Sequence, residues 1–500
     1  MNLVLAAVTA AAIVVQSPRW FRVAQREHYL PTVSRFAFRW WASTPANLGL
    51  GAVAIVGVAT AVFQELSVLV VAAAVTVGPL GLGLRGRTSN LAWTSRMKAT
   101  AAVSYGLATL LMVVGASTGS PGLFALTLAG FPTLVDAALA IWRPVQARLD
   151  RRWVERAKTG LERSGARVVA ITGSFGKTTT KAHLAHLLAG STAVVASPAS
   201  FNNRMGLARA VNEHLSSGTD VFIAEMGTYG PGEIADLCAW IPPDVAVLTA
   251  LGPVHLERMG TLEAIAAAKR EIFERAPTGV ISIDHPLLQG IAEEEGRARR
   301  MITVSATGLP ADVVGDPETG TISVDGSVVG SVDPEGVVVS NAACAVAAVV
   351  ALGFGADDLE DRLATLPTPP HRQVISTSDR GVVIIDDTFN SNPAGAARAL
   401  GLLARASEGR RVLVTPGMVE LGPTQDRENE DFASRAAEIV DDIVIVGHTN
   451  RSALERGARA GRDVSIHFVL TRDEAVAWVR SELGAGDAVL YENDLPDHYP

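Results

Sequence analysis

Cysteine is nearly absent: Cys238 and Cys344 are the only two in 500 residues. Neither has a metal-type spacing, and a disulfide framework is excluded, which suits a reducing compartment. An excess of positive charge is also missing. The formal charge is −8 and the pI about 5.7, so no nucleic-acid partner is expected for the chain as a whole. Aromatic residues make up only 5%. There is no internal repeat and no low-complexity tail. What is abundant is aliphatic: the mean hydropathy is +0.26, whereas soluble chains of this size usually fall below zero. The length suggests roughly two to four domains.

The apolar excess lies before residue 143. Met1–Val15, Ala46–Phe63, Leu66–Leu84 and Ala99–Ala116 are apolar runs, followed by Pro121–Trp142, which only Asp136 interrupts. A membrane span needs about 20 apolar residues, about 17 at the least. The last four segments reach that length; Met1–Val15 is marginal. Its arginines follow rather than precede it, which disfavours a signal peptide. Arg19, Arg22, Arg26, Arg35 and Arg39 lie between the first two segments, and none lies between the second and third. Arg85, Arg87, Arg96 and Lys98 come next, then a gap without basic residues, then Arg143, Arg148, Arg151 and Arg152. The alternation predicts five spans, with the N-terminus outside and everything after Trp142 in the cytoplasm. Trp40, Trp41 and Trp142 fall at expected interfaces. Asp136 is an intramembrane carboxylate, which marks a functional site or an interfacial position.

From Trp153 onward, short apolar strands alternate with helical patterns. Strands are expected at Arg167–Thr172, Val221–Met226, Val245–Thr249, Val280–Ile283, Val382–Asp386, Arg411–Thr415, Ile443–Val446 and Ala488–Tyr491, and a helix at Lys177–Ala189. This is α/β architecture with parallel sheets covered on both faces. Gly308–Gly336 looks like a small β insertion, and Leu366–Pro370 like a hinge. The expected organisation is a transmembrane region over 1–145, a parallel-sheet ATPase domain with a phosphate loop over 150–369, and a smaller Rossmann-like α/β domain over 370–500.

Ile171-Thr172-Gly173-Ser174-Phe175-Gly176-Lys177-Thr178 lies between an expected strand and helix. Small residues let backbone N–H groups approach an anion, and the helix N-terminus adds its positive dipole end. Lys177 can reach the β- and γ-phosphates of ATP, and Thr178 can ligate Mg²⁺. Gly173, Ser174, Gly176 and Thr179 complete the expected cradle. A glycine usual in longer versions of this loop is replaced by Ile171. Alone, the loop promises a bound nucleotide and no particular reaction.

The wider pattern resembles the Mur ligases, which form amide bonds with ATP. It is most like the branch that adds D-alanyl-D-alanine to a UDP-muramoyl tripeptide. Six segments carry the resemblance in order: ITGSFGKTTTK, SFNNRMGLARAV, VFIAEMGTYGPGEIADL, LGPVHLERMGTLEAIAAAKREIF, IIDDTFNSNPAG and VLVTPGMVELG. It implies an acceptor carboxylate activated as an acyl phosphate and attacked by the amine of an amino acid or dipeptide. It further implies Glu225 and Thr178 on a first Mg²⁺, and His255 with a carbamylated Lys269 on a second. Lys177, Lys269 and His255 would then be catalytic. Asp387, Arg372 and Asn341 would face the nucleotide, and Asn202, Asn203, Asn390 and Asn392 the substrate. An enzyme of peptidoglycan or cell-envelope synthesis in the bacterial cell membrane is implied, with its catalytic domains in the cytoplasm.

The chain departs from the family pattern in places. Val337 and Val338 stand where a His-Asn pair near adenine is usual. Phe389 replaces a common Tyr, and the chain closes on LYENDLPDHYP instead of a Lys-Gly-Ser-type segment. Apolar segments occupy the place of the domain that grips UDP, so the acceptor is expected to be either lipid-linked or UDP-linked. No Asp-Asn-Pro-Arg diaminopimelate motif is visible. Three competing readings are a membrane-anchored poly-γ-glutamate-type polymer ligase, an ATP-driven transporter and a non-catalytic scaffold. The transporter lacks a Leu-Ser-Gly-Gly signature.

Overall fold

The computed structural model describes residues 2–83, 90–198, 201–254, 256–355, 359–367, 373–389, 391–495 and 499. Two compact units emerge. One holds Met1–Leu149 with Gly447–Thr449 and Asp494–Pro500; the other holds Asp150–Val446 and Asn450–Asn493.

The first unit is helical: α1 (Asn2–Arg26), α2 (Val33–Trp41), α3 (Pro45–Thr60), α4 (Leu66–Val77), α5 (Ser95–Thr118), α6 (Pro121–Ala129) and the start of α7 (Phe131–Ser164). Among the described residues, only Leu3–Arg26 and Ser95–Thr118 are single helices long and apolar enough to cross a membrane. The number rises to four if the bent pairs α2–α3 (114°) and α6–α7 (72°) each count as one. The five expected segments are therefore not five straight helices. At the first bend Thr44 caps α3 by accepting the Asn47 N–H, and Pro45 opens the helix. At the second, Gly130 ends α6 and Pro132 cannot donate to the preceding turn. Leu66–Val77 has 12 residues, about 18 Å of helix, short for a bilayer core.

The first helix overruns its expected end because its arginines find partners inside the bundle. Arg19 donates to the carbonyls of Thr76 and Gly78, at the C-terminal end of α4, where such oxygens lack intrahelical donors. Asp136 has a comparable role. Its carboxylate accepts the N–H groups of Val33 and Ser34 and the Ser34 hydroxyl, at 2.8, 2.9 and 2.6 Å. An acid at this helix N-terminus matches the dipole. Arg85 and Arg87 lie outside the described residues.

The second unit contains two sheets. The strands β1 (Arg167–Thr172), β2 (Val194–Ala196), β3 (Val221–Glu225), β4 (Val245–Leu248), β5 (Thr278–Ser282), β6 (Arg300–Ser305), β7 (Val313–Gly315), β8 (Thr321–Val324) and β9 (Ser327–Ser331) form the first. Its order is β2-β3-β1-β4-β5-β6-β7-β8-β9. It is parallel through β7, after which β8 and β9 add an antiparallel hairpin within the expected insertion. The end of α7, with α9 (Arg204–His214), α10 (Glu233–Trp240), α12 (Leu262–Arg270) and α13 (Pro286–Glu295), covers one face. On the other face lie α8 (Lys177–Leu188) and α14 (Val339–Ala351). The short α11 (Leu256–Met259) follows β4, and α15 (Glu360–Leu363) follows α14. Burial on both faces explains why the central strands are nearly unbroken apolar runs.

The second sheet takes the order β10-β11-β15-β12-β13-β14, from β10 (Val374–Thr377), β11 (Val383–Asp387), β12 (Arg411–Thr415), β13 (Asp442–Val446), β14 (Ser465–Val469) and β15 (Ala488–Glu492). Only β10 runs antiparallel. Helices α16 (Pro393–Ala406), α17 (Gln425–Ala437) and α18 (Arg451–Ala460) pack on one face and α19 (Arg472–Glu482) on the other. The expected hinge at Leu366–Pro370 falls partly outside the described residues. Cys238 and Cys344 are buried thiols in the first sheet's two cores.

Candidate active site

The phosphate loop leaves β1 and turns into α8. Gly173 (φ 155°) and Gly176 (φ 79°) make the turn possible. A Cβ on either would come within 2.1 Å of a neighbour, Thr249 Oγ1 for Gly173 and Asn341 Oδ1 for Gly176. The loop is tied to the segment after β4. Thr249 Oγ1 donates to Phe175 O, Ser174 N donates to Ala250 O, and Ser174 Oγ donates to Gly252 O. Ser174 thus anchors the loop, with both its N–H and its hydroxyl engaged.

Two lysines meet on one carbonyl. Lys177 Nζ lies 2.7 Å from Gly173 O, and Lys269 Nζ reaches the same oxygen at 3.1 Å from α12. Lys269 is only 2% exposed. Desolvation, and then the charge of Lys177, hold its ammonium well below the usual lysine range.

Glu225 closes β3 and is buried. Thr178 Oγ1 donates to its Oε1 at 3.1 Å, Asn202 Nδ2 to the same oxygen at 3.3 Å, and Lys181 Nζ to Oε2 at 2.8 Å. A buried carboxylate beside a threonine hydroxyl at a helix N-terminus is a hard oxygen set of the kind Mg²⁺ takes. Among the described residues no group of three or more His, Cys, Asp or Glu side chains could hold a metal. His255, Arg372 and Asn390 lie outside the described residues.

Beside the loop lies a cavity of about 370 Å³, within the range of small-molecule sites. Gly176, Thr179 and Asn341 line it from the first sheet's side, and Asp387, Asn392 and Arg398 from the second's. Of the residues expected at the nucleotide, Gly176, Thr179, Asn341 and Asp387 share this cavity, whereas Gly173, Ser174, Lys177 and Thr178 are not part of its lining. Asn203 and Asn392, expected at the substrate, act as helix caps that accept the N–H groups of Gly206 and Gly395. Val337 and Val338 face the cavity too, so its wall there is apolar.

Several residues were not anticipated. Arg398 Nη2 donates to the carbonyls of Pro334, Glu335 and Val337, and its Nε to Gln373 Oε1. Gln373 in turn donates to Asp387 Oδ2 at 3.4 Å. His183 lines the cavity, and burial lowers its pKa to about 4. Lys181 was legible only as the residue one turn beyond Thr178. Glu492, fully buried at the end of β15, accepts the Ser391 and Thr415 hydroxyls. Burial pushes its carboxyl up to about 7, its two hydroxyl donors pull the other way, and Asp387 pushes up as well.

A family model described as the Mur ligase middle domain matches residues 171–349, and one described as the Mur ligase glutamate ligase domain matches 371–491. The UDP-N-acetylmuramoyl-tripeptide–D-alanyl-D-alanine ligase of Mycobacterium tuberculosis is 32% identical over 365 residues, which cover 65% of this chain and 70% of the relative. The chain belongs to the Mur ligase family. The enzyme of the same name from Bacillus subtilis is 27% identical over 351 residues, covering 67% of this Mur ligase and 75% of that chain. Among solved structures, the MurF ligase of Thermotoga maritima in complex with ADP superimposes with a TM-score of 0.58 at 27% identity, covering 69% of this chain and 80% of the other. This Mur ligase is accordingly an ATP-dependent, ADP-forming acid–amino-acid ligase. Neither family model reaches residues 1–170.

Proposed function

We propose that this Mur ligase joins an acceptor carboxylate to the amine of an amino acid or dipeptide through an acyl phosphate, in peptidoglycan or cell-envelope synthesis. The observation that carries the reading is the convergence of Lys177, Thr178, Glu225 and Lys269 beside Gly173, at the ends of β1 and β3. A carboxylate is a poor electrophile. Phosphorylation by ATP gives it a leaving group, and the amine then displaces phosphate. Two anions must meet in that first step, so cations have to line the path.

Lys177 stands at the N-terminus of α8, where it can turn from Gly173 O to the β- and γ-phosphates. Asn341 and Asp387 face the nucleotide in the cavity, with Arg372 assigned to phosphate. Thr178 and Glu225 are the residues for a first Mg²⁺, and His255 and a carbamylated Lys269 for a second. When bound, the metal supplies charge neutralisation for the transferred group. Asn202 reaches Glu225 and so borders the acceptor side, where Asn203, Asn390 and Asn392 also belong.

The names of the relatives favour a UDP-muramoyl tripeptide as acceptor and D-alanyl-D-alanine as the incoming dipeptide. A lipid-linked acceptor is the other option. Residues 1–145 would anchor the enzyme in the bacterial cell membrane through helices such as α1 and α5, with 150–369 and 370–500 as catalytic domains in the cytoplasm. The test supplies the detergent-purified chain with ATP, Mg²⁺, D-alanyl-D-alanine and either acceptor. ADP release matched by an amide product of the expected mass supports the reading. ATP hydrolysis with no amide from any amine or acceptor removes it.

A further inference from the structure

Glu225 has more cationic company than a metal ligand needs. Lys181 Nζ sits 2.8 Å from its Oε2, and the two side chains are 6% and 1% exposed. The other oxygen is already held by Thr178 and Asn202. Lys181 also stands four residues after Lys177 on α8, a like-charge spacing that weakens a helix. Helix formation gives no reason for that placement, but charge balance does, because a buried carboxylate without a counter-charge is strongly disfavoured. A divalent cation and the lysine ammonium would both answer the same carboxylate. With both present, the site carries excess positive charge until the phosphates of ATP arrive.

We propose that Lys181 is a positioning residue that keeps Glu225 aimed at Thr178 and makes bare Mg²⁺ a poor ligand, so that the first metal enters as its complex with ATP. This rests on the reading of Glu225 as a metal-binding carboxylate.

The test measures free Mn²⁺ by its EPR signal with the full chain in detergent, with and without a non-hydrolysable ATP analogue. The parent is expected to take up Mn²⁺ at Glu225 only with the analogue. Lys181→Gln should bind bare Mn²⁺ at least tenfold more tightly. Lys181→Arg, which keeps the charge, should behave as the parent. Tight uptake of bare Mn²⁺ by the parent overturns the proposal without need of any variant. It also falls if Lys181→Gln gains nothing, or if Lys181→Arg gains as much as Lys181→Gln. Glu225→Gln separates the two levels. If it weakens uptake of the Mn²⁺–analogue complex while Lys181→Gln gains nothing, only the role of Lys181 is wrong. If Glu225→Gln changes nothing, the metal reading fails, and this proposal with it.

Discussion

Replacing Glu492 with Gln should change the pH dependence of stability in a defined direction. The carboxyl is fully buried between the Ser391 and Thr415 hydroxyls, and its pKa stands at about 7 against an ordinary 4.5. Below pH 4.5 the group is protonated whether the chain is folded or unfolded, and its contribution to stability is fully present. As pH rises, the unfolded chain ionises first, so stability falls until the folded group also ionises near 7. The loss is the pKa difference times about 1.4 kcal/mol per unit, about 3 kcal/mol. Glutamine cannot ionise, and its amide can still hydrogen-bond both hydroxyls. The variant should therefore match the parent at about pH 4 and below, and exceed it by about 3 kcal/mol at pH 8. Differential scanning fluorimetry in detergent across this range measures the difference. If parent and variant melt in parallel from about pH 4 to 8, Glu492 is not a neutral buried acid and the reasoning is refuted.

Lys269→Ala should lower kcat by at least about 10²-fold and leave circular dichroism unchanged. Partial recovery with a short carboxylic acid would support a carbamate, whereas full activity without one would eliminate it. Gly176→Ala places a Cβ 2.1 Å from Asn341 Oδ1 in a left-handed backbone. That conformation alone costs a non-glycine residue about 1–2 kcal/mol, so KM for ATP should rise roughly tenfold, and an unchanged KM would disprove the contact. Arg398→Met removes the donors to three carbonyls beside the cavity. Charged hydrogen bonds are worth about 1.5–3 kcal/mol each, so ATP affinity, measured by titration with a fluorescent analogue, should fall tenfold or more. Equal affinity would mean that Arg398 does not shape the cavity for the nucleotide.

The phosphate loop and the buried strands β1 and β12 were legible because a strand covered on both faces is a continuous apolar run with turn residues at its ends. Strands β6 and β14 were not. Arg300–Ser305 offers only Met301, Ile302 and Val304 as apolar residues, with neither a continuous run nor a clean alternation, and Ser465–Val469 is a sheet edge with a histidine inside it. Hydropathy located the apolar segments of the first unit but not their bends, which depend on Thr44, Pro45, Gly130 and Pro132. Nor could it show that Arg19 reaches the end of α4. At the site, the ordered motifs supplied Lys177, Glu225 and Lys269. Lys181 escaped because a lysine on a helix reads as solvated, and the carboxylate that it meets lies at the end of β3, 44 positions along the chain. Arg398 escaped because its partners are backbone carbonyls, which no side-chain pattern encodes. Asn203 stands in a segment that resembles a substrate loop and Asn392 in one that resembles the opening of the C-terminal domain, yet both side chains cap helices.

The ties between the phosphate loop and the segment after β4 have a consequence for how the protein responds to change. Thr249 holds Phe175 O across 74 positions of chain, and Ser174 holds Gly252. The cradle is therefore set when the sheet assembles, and ATP meets a loop whose ordering has already been met by folding. A substitution such as Thr249→Val, remote from the glycine-rich motif in the text of the sequence, would present itself in an assay as a lesion of the nucleotide loop.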